Sequence, residues 1–143
     1  MKKTLLPLVW LAVVALLVSC EETLSVEYHV YNYSTQNVTV CYTEQLKPAK
    51  DDTERRQYAA DDSLIVLPPG SHKEWKYDLG EFPKSQKLTI DYNVDGMGVT
   101  PLWNRIKYII VGEEEVDPDL YNDQSRWAFE NDGNNGIYKL FLR

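Results

Sequence analysis

The chain has 143 residues and a formal net charge of −7 at pH 7, and 43% of its residues are hydrophobic. This length suits one globular domain. The acidic balance argues against nucleic acid or an anionic membrane surface as the partner. The same charge is also what solubility requires, so it selects no partner by itself.

The N-terminus has the pattern of a secretory signal. Lys2 and Lys3 are positively charged, residues 5–18 form an apolar run broken only by a proline, and Ser19 precedes Cys20. A positive start, a short apolar stretch and a small residue at the cleavage site are the parts of a signal peptide. The apolar run is shorter than the roughly 20 residues that a helix needs to cross a membrane. We therefore expect cleavage rather than a permanent membrane span.

Leu17-Val18-Ser19-Cys20 resembles the lipobox of bacterial lipoproteins, which follows the apolar run of their signal peptides. The resemblance implies cleavage before Cys20 and attachment of acyl chains such as palmitate, which then anchor the protein to membrane lipid. Several acyl chains bury far more CH₂ groups than one chain does, so we expect a stable anchor. The acidic pair Glu21-Glu22 resembles the surface-export signal of Bacteroidetes lipoproteins, and a solvated linker is the alternative.

These resemblances imply a location in the bacterial cell envelope, lipid-anchored in the outer membrane and exposed at the cell surface if the export signal is real. We expect residues 1–19 to be the signal peptide, residues 20–23 the lipidated cysteine with a short acidic tether, and residues 24–143 a single domain. A lipidated Cys20 cannot pair, which excludes a disulfide scaffold. Cys41 is then a lone thiol in a strand pattern, so we expect it to be buried and inert.

The first half of the domain alternates apolar and polar residues with the period of β-strands. The apolar positions of the first two predicted strands are Leu24, Val26, Tyr28 and Val30, then Val38, Val40 and Tyr42. A turn-rich patch at residues 32–37 separates them. A third short strand at residues 64–67 runs into Pro68-Pro69-Gly70, whose Pro-Gly pair suits a type II turn.

The second half continues this pattern. Trp75 and Tyr77 alternate with charged residues, and a further strand has its apolar positions at Leu88, Ile90 and Tyr92. Residues 106–111 are more uniformly apolar and predict a strand buried on both faces. The turn-rich residues 131–136 predict a closing β-hairpin, whose apolar positions are Trp127, Phe129, Tyr138, Leu140 and Leu142.

Seven or eight short strands with turn signals between them predict an all-β domain, either a sandwich or a small barrel. We expect a small antiparallel β-sandwich of Ig-like architecture. No segment keeps a helical apolar stripe over several turns, which argues against a helical bundle. The best helix candidate, residues 51–60, lacks a clear apolar face.

Two long connections and one motif interrupt the strands. Residues 44–62 mix charges of both signs, and residues 112–124 contain an acidic run. Long loops are functional or mobile, and we expect mobility in the first and solvation in the second, with a cation site as the alternative. Asp91, Asn93 and Asp95 match the first half of an EF-hand calcium loop.

A complete calcium loop ends in a bidentate glutamate at its twelfth position, which is Leu102 here. We therefore expect no metal ion and no other cofactor. We also expect no enzyme activity, because no nucleophile elbow, phosphate loop or dinucleotide fingerprint occurs. His29 and His72 have no metal-ligand spacing in the sequence, and a single histidine in a strand is usually a surface residue.

Aromatic residues are the remaining indication of function. Trp75 and Trp127 are most simply core residues. Tyr31, Tyr33 and Tyr121 lie near turns or opposite the predicted core, and exposed rings stack on sugars or anchor a protein partner. Asp62-Ser63-Leu64 resembles the O-glycosylation motif of exported Bacteroidetes proteins, which implies a glycan on Ser63.

Three functional hypotheses remain. The first is a non-catalytic envelope lipoprotein whose sandwich serves as a binding or interaction module for a protein or glycan. The second is a glycan-binding accessory protein with aromatic rings clustered on one exposed face. The third is a hydrolase with carboxylates of shifted pKa in a cleft. Tyrosines exposed together favour binding, whereas a deep pocket lined by acidic residues favours the hydrolase.

Overall fold

The computed structural model describes residues 21–44, 62–83 and 100–143. The predicted signal peptide, Cys20, the helix candidate, the strand at residues 88–92 and the calcium-like motif with Asp91, Asn93 and Asp95 lie outside these ranges. Within them, no helix has the length and apolar character needed to cross a membrane.

The described chain forms eight β-strands in two four-stranded sheets. The strands are β1 (Glu21–Asn32), β2 (Val38–Thr43), β3 (Asp62–Leu67), β4 (His72–Pro83), β5 (Ile106–Val111), β6 (Glu114–Glu115), β7 (Ala128–Asp132) and β8 (Asn135–Leu142). A short helix, α1 (Leu102–Arg105), precedes β5. Two 3₁₀ turns, Pro118–Leu120 and Gln124–Arg126, lie between β6 and β7.

The two sheets form the layers of a sandwich. The first sheet has the strand order β4-β1-β8-β7, and the second sheet has the order β3-β2-β5-β6. The predicted all-β sandwich is confirmed. Neighbouring strands of the described residues are antiparallel except β1 and β8, which run parallel. The first and last strands of the described chain therefore lie side by side in the first sheet.

β1 contributes to both faces of the first sheet. Val26, Tyr28 and Val30 are buried in the core, and the residues between them point to the outer face because successive side chains of a strand alternate. β1 begins at Glu21, so residues 21–23, expected as part of a tether, belong to the strand instead.

An aromatic cluster fills the centre of the core. The ring of Tyr28 is fully buried. Four rings surround it, those of Trp103, Trp127, Tyr138 and Tyr77, at centroid distances of 5.6, 6.0, 5.6 and 6.2 Å. At these separations aromatic pairs attract each other beyond the effect of burial. The predicted core positions of Trp75 and Trp127 are confirmed, since both side chains are buried.

A buried arginine connects the two sheets. Arg105 Nη1 donates to the backbone carbonyl of Thr43 in the second sheet at 3.2 Å, and its Nη2 donates to the hydroxyl of Tyr77 in the first sheet at 2.7 Å. Its Nε donates to the carbonyl of Thr100 at 3.1 Å. The guanidinium carbon also lies 4.9 Å from the centre of the Tyr77 ring. Such contacts offset part of the cost of burying a charge.

Two turns depend on glycine. The backbone N–H of Ser71 donates to the carbonyl of Pro68 at 3.1 Å, and Gly70 has φ +77°, as the predicted type II turn requires. Gly133, with φ +64°, is the first residue of the two-residue loop between β7 and β8. Glycine at this position suits a type II′ hairpin turn, so the predicted closing hairpin is confirmed.

The prediction that β5 is buried on both faces is wrong. Ile109 is fully buried, whereas Tyr108 and Ile110 are half-buried on the opposite face. The reason is that β5 lies in an antiparallel sheet with only one face on the core. Cys41, which pairs with Tyr108, is buried and free, as predicted.

Alanine substitutions at two neighbouring residues of β8 test which face of the strand is buried. Leu140 lies in the core, and Phe141 is 40% exposed on the outer face. We expect Leu140→Ala to lower the free energy of unfolding by about 2–5 kcal/mol because it leaves a cavity. Phe141→Ala is expected to cost about 1 kcal/mol or less. Urea denaturation measures both, and equal losses would contradict the described orientation of β8.

Candidate functional site

The outer face of the first sheet carries a row of rings. Tyr31 in β1 pairs with His72 in β4 on one side and with Phe141 in β8 on the other. Tyr33, which follows β1 directly, extends the row alongside Phe141. Together, Tyr31, Tyr33, His72 and Phe141 form what we call the aromatic row.

The rings of the aromatic row stack on one another. The Tyr31 centroid lies 5.0 Å from that of His72 and 5.2 Å from that of Phe141, with interplanar angles of 19° and 21°. The Tyr33 ring stacks on Phe141 at 5.6 Å. Neighbours therefore cover both faces of Tyr31, whereas Tyr33 is 55% and Phe141 40% exposed. A ligand can therefore reach the rings of Tyr33 and Phe141, and the Tyr31 ring supports that of Phe141.

A hydrogen-bonded turn fixes the position of Tyr33. The preceding residue, Asn32, is fully buried, and its Nδ2 donates to the carbonyl of Leu67 at 2.8 Å. Its Oδ1 accepts hydrogen bonds from the backbone N–H and the hydroxyl of Ser34. The backbone N–H of Tyr33 donates to the carbonyl of Leu142 at 2.7 Å. A site that is already ordered loses little conformational freedom on binding a ligand.

His72 of the aromatic row also belongs to a group of two histidines and two glutamates on the same face. We call Glu27, His29, His72 and Glu74 the histidine–glutamate cluster. His29 Nε2 lies 2.8 Å from Glu27 Oε2, and His29 Nδ1 lies 3.9 Å from Glu74 Oε1. His72 Nε2 is 3.0 Å from the same Glu74 oxygen. Ligand atoms of Glu27, His29 and Glu74 all lie within 4.8 Å of one another, which makes these three residues a candidate metal site, and His72 lies beside them.

Glu27 is held in place from several sides. Its Oε1 accepts a hydrogen bond from Asn135 Nδ2 at 2.8 Å and lies 3.1 Å from Lys76 Nζ. Burial raises the pKa of the Glu27 carboxyl, but hydrogen bonds from His29, Lys76 and Asn135 outweigh burial and leave its pKa below the usual value. Glu27 is therefore a fixed negative charge beside His29 at neutral pH.

A groove of about 990 Å³ adjoins the aromatic row, and Phe141 belongs to both. Its apolar lining residues are Val111, Val116, Leu120, Leu140, Phe141 and Leu142, and its polar ones are Gln36, Glu113, Glu114, Glu115, Asp117, Arg126 and Arg143. This volume is typical of small-molecule sites. The acidic residues of the groove are exposed, as predicted for this run.

Tyr121 does not join the other candidate tyrosines. The expectation that it is exposed is wrong, because it is 2% exposed and belongs to the core. The 3₁₀ turn Pro118–Leu120 ends at this residue, and the Tyr121 carbonyl accepts a hydrogen bond from Trp127 Nε1 at 2.9 Å. Burial raises the pKa of Tyr121. Proximity to a turn therefore did not place this ring in solvent.

Ser63 lies on β3, the edge strand of the second sheet, away from the aromatic row. Its side chain is half-buried, and its hydroxyl donates to Glu44 Oε1 at 3.0 Å. The O-glycosylation of Ser63 stays a prediction.

The sequence patterns did not predict the histidine–glutamate cluster or the role of Phe141. His29 was expected at the surface, yet it is only 7% exposed. The alternating positions of Glu27, His29 and Tyr31 in β1 were a usable signal, because they share one face of a strand. The pairing of β1 with β4 brings His72 to that face, and this pairing is not visible in either segment alone.

Comparisons with known proteins do not assign the chain to a family. No family model matches it. No curated protein and no solved structure matches it either. The functional argument therefore depends on the geometry of the described residues.

Proposed function

We propose that this protein is a lipid-anchored, non-catalytic envelope protein whose β-sandwich binds a glycan at the aromatic row. The observation that carries the proposal is the exposure of Tyr33 and Phe141 side by side at one end of a groove. Rings of this kind offer an apolar stacking surface. The groove offers the polar groups that bind hydroxyls and set specificity.

The charges around the row favour a glycan over a protein partner. Charged residues are depleted at the centre of protein–protein interfaces. Here Lys139, which precedes Phe141 on the same face, donates to Glu130. This hydrogen bond raises the pKa of Lys139, so the lysine stays charged at neutral pH. A charged pair beside the rings suits hydroxyl groups better than an apolar protein surface.

The groove also favours a particular kind of glycan. Four of its lining residues are acidic, Glu113, Glu114, Glu115 and Asp117, against two arginines. The whole chain is acidic as well, with a net charge of −7. Like charges repel over short range, so we infer a preference for neutral glycans over sulfated or uronic ones.

The lipid anchor is supported by the lipobox-like residues 17–20 and by where β1 lies. β1 has 12 residues and begins directly after Cys20. At about 3.3 Å per residue, a strand of this length places the aromatic row roughly 40 Å from the lipidated cysteine. An anchor at Cys20 would thus be at the opposite end of β1 from Tyr31 and Tyr33, whichever side of the outer membrane the domain occupies.

The two cysteines provide a matched test of the anchor. We expect cells that make the wild-type protein or Cys41→Ser to incorporate labelled palmitate into it, because Cys41 is buried and has no role in lipidation. Cys20→Ser is expected to lose both the label and the membrane fraction. Label retained in Cys20→Ser would contradict the lipid anchor.

Substitutions of exposed apolar side chains on the two sheets test the glycan site. We expect a neutral oligosaccharide selected from a glycan array to bind the purified mature protein, and Tyr33→Ala or Phe141→Ala to weaken binding about tenfold, which equals about 1.4 kcal/mol. Leu64→Ala is the control, since Leu64 is 57% exposed on the second sheet. Titration calorimetry measures the affinities.

Two results would contradict the glycan proposal. One is the failure of every neutral glycan on the array to bind the mature protein. The other is a loss of affinity in Leu64→Ala equal to that in the ring variants. Urea denaturation of each variant shows whether a loss comes from the surface or from unfolding.

A further inference from the structure

The pairing of β1 with β4 brings the histidine–glutamate cluster together. His29 is directly opposite Glu74, and Tyr31 is directly opposite His72. Directly opposite residues have Cβ atoms about 4.5–5.5 Å apart, and diagonal neighbours remain within reach of long side chains. His29, Glu74 and His72 can therefore converge on one point above the sheet.

We propose that this cluster binds a divalent transition-metal ion, with His29 Nδ1, His72 Nε2 and the Glu74 carboxylate as its ligands. Ligand atoms at about 2.0–2.2 Å from a zinc ion are about 3–4 Å from one another. The centroids of the two imidazole rings are 6.5 Å apart, so the His72 ring must turn toward His29 when the ion binds. The distances from Glu74 Oε1 are 3.9 Å to His29 Nδ1 and 3.0 Å to His72 Nε2. The distance of 3.9 Å between His29 Nδ1 and Glu74 Oε1 is too long for a hydrogen bond but suits two ligands of one ion.

Glu27 is the positioning residue for His29. Metal-binding histidines commonly donate their other ring N–H to a carboxylate, which fixes the tautomer and the ring orientation. Glu27 Oε2 lies 2.8 Å from His29 Nε2, and its other oxygen is held by Asn135 and Lys76. A proton on Nε2 leaves Nδ1, which lies 3.9 Å from Glu74 Oε1, with the lone pair that a metal ion requires.

Tyr31 connects this site to the aromatic row. Its hydroxyl lies 3.2 Å from His29 Nδ1 and can donate a hydrogen bond to it. A metal ion on Nδ1 displaces that hydrogen bond. The Tyr31 ring also stacks on His72 at 5.0 Å. Metal binding therefore changes the surroundings of the ring that supports Phe141, although the metal site does not depend on glycan binding.

The donor set indicates which ions fit. Two imidazoles and one carboxylate suit zinc, copper and nickel, whereas calcium and magnesium prefer oxygen ligands alone. Three protein ligands leave a coordination position for water or another molecule. Because His29 is 7% exposed and Glu74 is exposed, the ion is reached from the solvent side of the sheet.

Zinc titration of the mature protein tests the site. After treatment with a chelator, we expect zinc chloride to bind at one ion per chain in calorimetry. His29→Gln and His72→Gln are each expected to weaken this binding at least about tenfold, and Glu27→Gln by about 10–100-fold. Cobalt provides a second readout, because the visible absorption spectrum of the protein-bound ion reports its nitrogen and oxygen ligands. We expect the spectrum of the bound ion to be absent in His29→Gln.

Glu114→Gln is the control, since Glu114 is an exposed glutamate on β6 in the second sheet, away from the cluster. It is expected to bind zinc as the wild type does. Unchanged zinc affinity in either histidine variant, or no zinc binding by the wild type, would overturn the proposal. Urea denaturation of each variant separates loss of ligands from loss of fold. Because these readouts contain no glycan, their outcome is independent of the proposed function.

Discussion

The register of β1 between β4 and β8 is the constraint on which both the core and the outer surface depend. Alternate residues of this strand build the centre of the core with Tyr28 and the outer surface with His29 and Tyr31. A slip of one residue would exchange the two faces. Asn135 fixes this register from β8, because its Oδ1 accepts from the Ser25 hydroxyl and its Nδ2 donates to Glu27. The same hydrogen bonds therefore order the sheet and the site.

The sequence predicted the elements of the fold better than their arrangement. Alternation is a local property, and it located β1, β2 and the strands of the closing hairpin, whereas β6 lies in the acidic run that was expected to be a solvated connection. The Pro-Gly and Gly-Asn turns follow from backbone preferences of single residues. The parallel pairing of β1 with β8 joins the two ends of the domain and has no local signal. The prediction that Tyr121 is exposed was wrong for a related reason. Its burial depends on the packing of Trp127 against a turn, and turn residues alone do not decide which way a ring points.

In the candidate site, too, the sequence predicted local features but not the pairing of strands. Tyr33 was found from its position after a strand, whereas the cluster with Glu74 required knowledge of which strands pair. The resulting surface has three adjoining parts, which are the aromatic row, the histidine–glutamate cluster and the acidic groove. Phe141 joins the row to the groove, and Tyr31 joins it to the cluster. A lipid on Cys20 would place this surface at the far end of β1 from the membrane.

The claim that the outer face of the first sheet is the binding surface is tested most directly by nuclear magnetic resonance. Backbone amide signals of the isotope-labelled mature protein would be followed during titration with a panel of neutral hexasaccharides. The account predicts that the largest shifts fall at Tyr33, at Phe141 and along the groove from Glu113 to Asp117, while Leu64 and Val66 on the second sheet stay unchanged. Shifts centred on β3, at the edge of the second sheet opposite β6, or no shifts with any glycan, would contradict it.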